Sequence, residues 1–145
     1  MLIDANILLY AADESSTFHE QTAQWLTTAL NGPRRIGIPW QSLVAFLRIS
    51  THERASLRPL SPSEAIGFVD DWLTPETVWI PREGPGHATI LSQLITKYQL
   101  RGNLISDAQL AALAIEHGLQ MCSADTDFAR FTELTWVNPT IPSST

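Results

Sequence analysis

Short apolar runs alternate with longer stretches of helical periodicity along this chain, and this alternation constrains the fold more than any other feature. The runs 1–4, 35–38, 78–80, 119–123 and 135–137 have the length and composition of short buried strands. The stretches between them repeat apolar residues every three to four positions, as amphipathic helices do. Such alternation is typical of an α/β fold, so we predict a mostly parallel central sheet flanked by helices.

Capping boxes predict where three of the helices begin. Thr17 and Ser61 each precede a Glu by three residues, and Ser106 precedes a Gln by three, so that side chain and backbone can cap each other. We expect the first of these helices to end near residue 30 and the third to cover 107–117, just before Gly118. A further helix is predicted after the second strand, with one buried stripe formed by Trp40, Leu43, Val44 and Leu47.

Length and composition place the chain among single-domain globular proteins. Its 145 residues fit one domain, for which we predict the bounds 1–138, followed by a flexible tail at 139–145. No apolar run approaches the roughly 18 residues of a membrane helix, and the N-terminal segment lacks the basic and long apolar regions of a signal peptide. Together with a single cysteine, Cys122, these features predict a cytoplasmic protein that does not interact with a membrane.

Four aspartates occupy the positions where functional residues gather in an α/β fold. Asp4 ends the first strand, Asp107 lies in the first turn of an alanine-rich helix, and Asp125 and Asp127 follow the run 119–123. Because parallel strands end at one edge of the sheet, we expect these carboxylates to meet there. Clustered carboxylates repel each other, and Mg²⁺ or Mn²⁺ relieves the repulsion through oxygen ligands. This arrangement favours metal-assisted hydrolysis of phosphodiester bonds.

Each aspartate also has a structural interpretation. Asp107 can serve the helix dipole alone, and Asp125 and Asp127 can be turn residues. Asp4 has little structural use at the end of an apolar strand, and it therefore favours the functional interpretation. The net charge of −6 argues against a general nucleic-acid-binding protein with a basic face, but it allows an enzyme that meets phosphates through metal ions.

Three segments resemble the motifs of PIN domains, in the same order and at similar distances along the chain. They are residues 2–8 (LIDANIL), 102–108 (GNLISDA) and 122–128 (CSADTDF). The resemblance covers nearly the whole chain and implies a three-layer PIN-like fold. Further segments are similar to one branch of the VapC toxins, namely Trp40, 46–48 (FLR) and 136–139 (WVNP).

The resemblance to VapC toxins implies a function and a set of site residues. It implies an Mg²⁺- or Mn²⁺-dependent endoribonuclease that acts as the toxin of a toxin–antitoxin pair and cleaves RNA to inhibit translation and growth. It also implies a homodimer that forms a hetero-oligomer with a VapB-type antitoxin. Asn6 would orient Asp4, and Ser123 would hold a water or a phosphate oxygen. The implied catalytic residues are Asp4, Asp107 and Asp125, and the implied metal ligands are these three with Asp127.

The chain departs from the PIN pattern at one position. Many PIN domains carry a Glu on the helix after the second strand, near Ala45, where this chain has no acid. We therefore expect a metal site that is poorer in carboxylates and binds its ion weakly. Arg48 and Arg54 belong to the best local basic cluster and are candidate RNA contacts, although a solvated helix face explains them as well.

Two other functions stay open from the sequence. The missing Glu is consistent with a catalytically silent PIN-like domain that acts as a binding module. A haloacid-dehalogenase-type phosphatase also has an Asp after its first strand in an α/β fold. That enzyme needs a second Asp two residues later, where this chain has Asn6.

Overall fold

The computed structural model describes residues 1–141 and contains one central sheet. All pairings in the sheet are parallel, and the strand order is β3-β2-β1-β4-β5. The first strand of the sequence therefore lies in the middle of the sheet, and the predicted α/β fold is confirmed. The strands are β1 (Leu2–Ile3), β2 (Ile36–Gly37), β3 (Val78–Trp79), β4 (Met121–Cys122) and β5 (Trp136–Val137).

Helices cover both faces of the sheet and give the three layers. One hydrophobic cluster contains Ile3 and Cys122, and the other contains Leu2 and Met121, because successive strand residues point to opposite faces. The first cluster lies under α1 to α4 and the second under α5, α6 and a short 3₁₀ helix. These helices are α1 (Ala5–Ala12), α2 (His19–Leu30), α3 (Trp40–Ser50), α4 (Pro62–Leu73), α5 (His87–Tyr98), α6 (Leu104–Glu116) and the 3₁₀ helix Thr126–Arg130.

Of the three predicted capping boxes, only the one at Ser61 is present. The Ser61 hydroxyl accepts a hydrogen bond from the Glu64 N–H at 3.1 Å, and the Glu64 carboxylate accepts one from the Ser61 N–H at 3.0 Å. The box at Thr17 was wrong, because the backbone carbonyl of Ser16 accepts a hydrogen bond from the His19 N–H in a turn and α2 begins at His19, one residue later than a helix capped by Thr17. The predicted start of α6 at residue 107 was also wrong. Gly102 turns the chain at φ +60°, and the helix begins at residue 104.

The predicted buried stripe of α3 was wrong in part. Trp40 and Val44 are 49% and 54% exposed, whereas Ser42 and Phe46 are buried. The helix is rotated because the Phe46 ring packs edge-on against a tryptophan of α4 and the Ser42 hydroxyl donates to the Ile3 carbonyl at 2.7 Å. The side of α3 that faces the sheet therefore includes small polar residues that a search for apolar periodicity does not find.

The packed structure extends slightly beyond the predicted domain boundary at residue 138. Pro139 is buried, and its carbonyl accepts a hydrogen bond from the Gln21 amide at 2.8 Å. Of the predicted tail, residues 142–145 lie outside the described residues. Within residues 1–141, none of the helices has the length and apolar character needed to cross a membrane.

Candidate metal centre

The four aspartates predicted from the sequence come together at the carboxyl edge of the sheet. β1 and β4 are adjacent and parallel, so Asp4 and Asp125 follow neighbouring strands. The first turn of α6 carries Asp107, and the 3₁₀ helix after β4 carries Asp127. Carboxylate oxygens of Asp107, Asp125 and Asp127 all lie within 4.8 Å of one another. We call these three residues together with Asp4 the acidic cluster.

Asp4 is largely buried, and hydrogen bonds hold both of its carboxylate oxygens. Oδ1 accepts the Ala5 N–H at 2.7 Å, which caps α1, so the expectation that this residue has little structural use was wrong. Oδ2 accepts the Ser123 hydroxyl at 2.7 Å. Burial raises the pKa of Asp4 and the charge of Asp125 adds to this effect, while the two hydrogen bonds oppose it.

Ser123 connects the two strands that carry the acidic cluster. Its hydroxyl donates to Asp4 and accepts hydrogen bonds from the Asn6 amide at 3.1 Å and from the Asp125 N–H at 2.9 Å. The side chain is fully buried, and these three protein partners use its one donor and both of its acceptor positions. Asn6 also donates to Asp4 at 3.3 Å and accepts the Ala124 N–H at 3.1 Å. This network fixes the ends of β1 and β4 relative to each other.

Asp107 shows most clearly that the acidic cluster is repulsive. Burial, followed in order of importance by the charges of Asp125, Asp4 and Asp127, raises the pKa of Asp107 to about 6. The Arg130 guanidinium lowers it and is the smallest of these influences. A hard divalent cation accepts carboxylate oxygens and removes this repulsion, so the donors present fit Mg²⁺ or Mn²⁺.

Helix α3 contributes no acid to the site, but it approaches the site closely. The Gln41 amide donates to the carbonyl of Ser106 at 3.2 Å, next to Asp107. Ser42 bonds to the carbonyl that precedes Asp4. Ala45 lies four residues after Gln41 and three after Ser42, so the three side chains share one face of the helix. We therefore expect a Glu at position 45 to lie on the side of α3 that is nearest the acidic cluster.

The two predicted RNA contacts lie elsewhere on the surface. Arg48 is in the last turn of α3, and Arg54 is in the loop that follows; both are exposed. Among the described residues, neither forms an ion pair or a side-chain hydrogen bond with the acidic cluster. The basic residue that does reach it is Arg130, whose guanidinium contacts the Asp127 carboxylate at 3.2 Å. Arg130 is not among the site residues expected from the sequence, although it follows Asp127 by three residues, a spacing at which side chains on a helix can meet.

A mostly apolar cavity lies apart from the acidic cluster. It has a volume of about 720 Å³ and lies between the α1–α2 loop and the loop after α3. Tyr10, Phe18, Phe46 and Leu60 are among its lining residues, and none of the four aspartates lines it. The clustered carboxylates, and not this cavity, therefore mark the candidate site.

Comparison with known proteins places this arrangement in a family. The family model described as PIN domain matches residues 1–134. The chain belongs to the PIN domain family. Its relatives include Ribonuclease VapC37 of Mycobacterium tuberculosis, which is 40% identical over 138 residues and matches across 95% of this chain and 96% of its own. Ribonuclease VapC33 of the same species is 39% identical and matches across 94% and 95% of the two chains.

Solved structures of low identity share the fold. The complex VapBC2 from Rickettsia felis, bound to a DNA fragment from its promoter, contains a chain that aligns with a TM-score of 0.70 at 17% identity and covers 94% of this chain and 96% of its own. The sarcin-ricin loop cleaving toxin VapC20 of M. tuberculosis aligns with a TM-score of 0.64 at 12% identity, covering 92% and 98% of the two chains. Membership of the PIN domain family replaces the haloacid-dehalogenase alternative.

Proposed function

We propose that this PIN domain is an Mg²⁺- or Mn²⁺-dependent endoribonuclease that acts as the toxin of a toxin–antitoxin pair. It hydrolyses RNA phosphodiester bonds and thereby inhibits translation and growth. The observation that carries the proposal is the acidic cluster, in which three carboxylates converge within 4.8 Å beside the buried Asp4. The names of the relatives, VapC ribonucleases at up to 40% identity over almost the whole chain, support RNA as the substrate.

Each residue of the acidic cluster has a proposed role in holding the metal. Asp107, Asp125 and Asp127 offer one oxygen each to a shared point and would hold the metal. Asp4 completes the ligand set, with its orientation fixed by Ser123. When bound, the metal activates a water and shields the charge that develops on phosphorus. Because the cluster repels further negative charge, RNA binding at this edge depends on the cation.

RNA cleavage with and without metal tests the proposal. Purified protein is incubated with total RNA in Mg²⁺ or Mn²⁺ and, in parallel, in EDTA. We expect cleavage that EDTA abolishes, and that Asp4→Asn and Asp107→Asn each remove. Asp70→Asn, on an exposed position of α4, is the matched control and should cleave as the wild type does. Cleavage that persists in EDTA would refute the metal mechanism.

An antitoxin and a second copy of the chain are the proposed partners. Solved relatives of similar fold include VapBC complexes, which supports a VapB-type antitoxin that binds a homodimer of this chain in the cytoplasm. The net charge of −6 predicts an antitoxin that is at least locally basic. Light scattering on the purified protein, alone and co-expressed with the product of an adjacent gene, tests both partners. A monomer that no such product binds would contradict them.

A catalytically silent binding module is the second candidate, because Ala45 leaves the site without the acid that many PIN domains have on this helix. The same RNA assay separates the two functions. A silent domain binds RNA or protein without cleavage at any metal concentration. An active one cleaves when the metal is raised to millimolar levels, as a site poor in carboxylates requires.

A further inference from the structure

Arg130 is the one basic side chain that the structure brings to the acidic cluster among the described residues. It lies at the end of the 3₁₀ helix that starts after Asp125. Its Nε donates to the backbone carbonyl of Asp127 at 3.1 Å, and its Nη2 donates to the carboxylate of the same residue at 3.2 Å. About a third of the Arg130 side chain remains exposed to solvent. The guanidinium is therefore placed at the mouth of the site and not inside it.

The charges at this edge are strongly unbalanced. Four carboxylates face one guanidinium, so the cluster repels any approaching phosphate until cations compensate it. A divalent ion removes only part of the negative charge. An arginine is well suited to supply the remaining positive charge, since its planar guanidinium offers several N–H donors in a fixed geometry that matches a phosphate group.

We propose that Arg130 is a phosphate-binding residue of this site, which exchanges its contact with Asp127 for a non-bridging phosphate oxygen of the RNA backbone. This inference rests on the proposed ribonuclease function and adds a substrate-contacting residue to it. The exchange is easy because the ion pair is partly exposed on both sides, with Arg130 and Asp127 side chains 34% and 46% accessible. Exposed pairs of this kind contribute little to stability, so their separation needs little compensation.

A consequence distinguishes this role from a purely structural one. While Arg130 pairs with Asp127, it competes with a metal ion for the same carboxylate. Removal of the guanidinium should therefore strengthen metal binding and weaken RNA binding. A variant that is merely misfolded loses both, so the two opposite changes identify the proposed role.

RNA binding is measured by fluorescence anisotropy with a labelled single-stranded RNA of mixed sequence, in Ca²⁺, at several salt concentrations. Ca²⁺ takes oxygen ligands as Mg²⁺ does, so it replaces Mg²⁺ and leaves all four carboxylates of the acidic cluster in place, and a gel after each titration checks that the RNA is intact. We expect Arg130→Gln to lower the affinity about tenfold relative to the wild type, as the loss of a charge-assisted hydrogen bond does. The slope of log affinity against log salt should fall by about 0.7, the value for one lost phosphate contact on a single strand.

Two further variants control the measurement. Arg130→Lys keeps the positive charge but lacks the paired N–H donors of the guanidinium. We therefore expect this variant to have the salt slope of the wild type and an RNA affinity between those of the wild type and Arg130→Gln. Arg34→Gln removes an exposed arginine next to β2 at the opposite edge of the sheet, and it should leave both affinity and slope unchanged. In a calorimetric Mn²⁺ titration without RNA, Arg130→Gln should bind the ion roughly two- to fivefold more tightly than the wild type does.

The outcomes separate the two proposals. If the wild type cleaves RNA in Mg²⁺ but Arg130→Gln keeps the parent affinity and salt slope, the inference about Arg130 is refuted and the proposed function stands. If the wild type neither binds nor cleaves RNA, the proposed function fails, and the inference fails with it. If Arg130→Gln melts at a much lower temperature, the Arg130→Lys variant tests the inference in its place. A slope of log affinity against log salt that is smaller in Arg130→Lys than in the wild type contradicts phosphate binding.

Discussion

Replacement of Asp107 by Asn should stabilise the metal-free protein at neutral pH, although it removes a residue of the proposed site. The pKa of Asp107 is raised from 3.8 to about 6 by burial and by three neighbouring carboxylates. For an acid with a raised pKa, the folded state holds the proton more tightly than the unfolded state. Its contribution to stability is therefore present below pH 3.8 and is lost as the pH rises through 6. Asn, which does not ionise, avoids that loss.

The size of the effect follows from the same numbers. A displacement of one pH unit corresponds to about 1.4 kcal/mol, so the shift of Asp107 would be worth about 3 kcal/mol if the carboxylate were fully shielded from water. The carboxylate is partly exposed, and solvent screening reduces the expected gain to about 1 kcal/mol. For a chain of this length that gain raises the melting temperature by roughly 2–4 °C.

Thermal melts in EDTA at pH 7.5 and at pH 5 measure this effect. We expect Asp107→Asn to melt above the wild type at pH 7.5, and the difference to shrink at pH 5, where Asp107 of the wild type is mostly protonated. Asp70→Asn, at an exposed position of α4, is the control and should melt close to the wild type. Addition of Mg²⁺ should reverse the order, because only the wild type gains from the ion. A large drop in melting temperature for Asp107→Asn in EDTA would refute the reasoning and assign the residue to helix capping.

Three further predictions follow from particular contacts. Ser123→Ala leaves the buried Asp4 carboxylate without its hydroxyl donor, so it should cost about 1–3 kcal/mol in urea unfolding and abolish RNA cleavage; unchanged cleavage would contradict the orienting role. Phe46→Ala removes a fully buried ring and should cost about 3–5 kcal/mol in the same assay, whereas Val44→Ala on the exposed side of α3 should change stability by less than about 0.5 kcal/mol. Ala45→Glu should tighten Mn²⁺ binding in calorimetry, and Val44→Glu is the control. Sub-micromolar Mn²⁺ affinity already in the wild type would contradict the expectation that the metal site lacks a carboxylate.

The edge of the sheet at which the acidic cluster lies could be predicted from the sequence, because Asp4 and Asp125 follow parallel strands. Any residue that directly follows a parallel strand lies at the same edge of the sheet, so Asp4 and Asp125 had to be neighbours once β1 and β4 were adjacent. The fold class followed from the alternation of strands and helices in the same way. The membership of the chain in the PIN domain family confirms that part of the interpretation.

The hydrogen bonds between the two halves of the site could not be predicted, because they join residues that are distant in the sequence. The hydrogen bond from Ser123 to Asp4 joins residues 119 positions apart, and no local sequence pattern around either residue indicates it. The rotation of α3 was missed for a similar reason. Trp40 and Val44 are the more apolar residues, but the space beside β1 accepts the small Ser42, whose hydroxyl finds a backbone partner there.

The central position of β1 also sets the order in which the site can be completed during protein synthesis. β1 and Asp4 are made first, but the strand that pairs with one side of β1 is β4, which is made more than a hundred residues later. Pairing between such distant segments forms slowly and only after both have been synthesised. A nascent chain that ends before residue 121 leaves one side of β1 unpaired and lacks Asp125 and Asp127. The proposed metal site is therefore incomplete while most of the chain is still being made, because two of its four carboxylates follow β4.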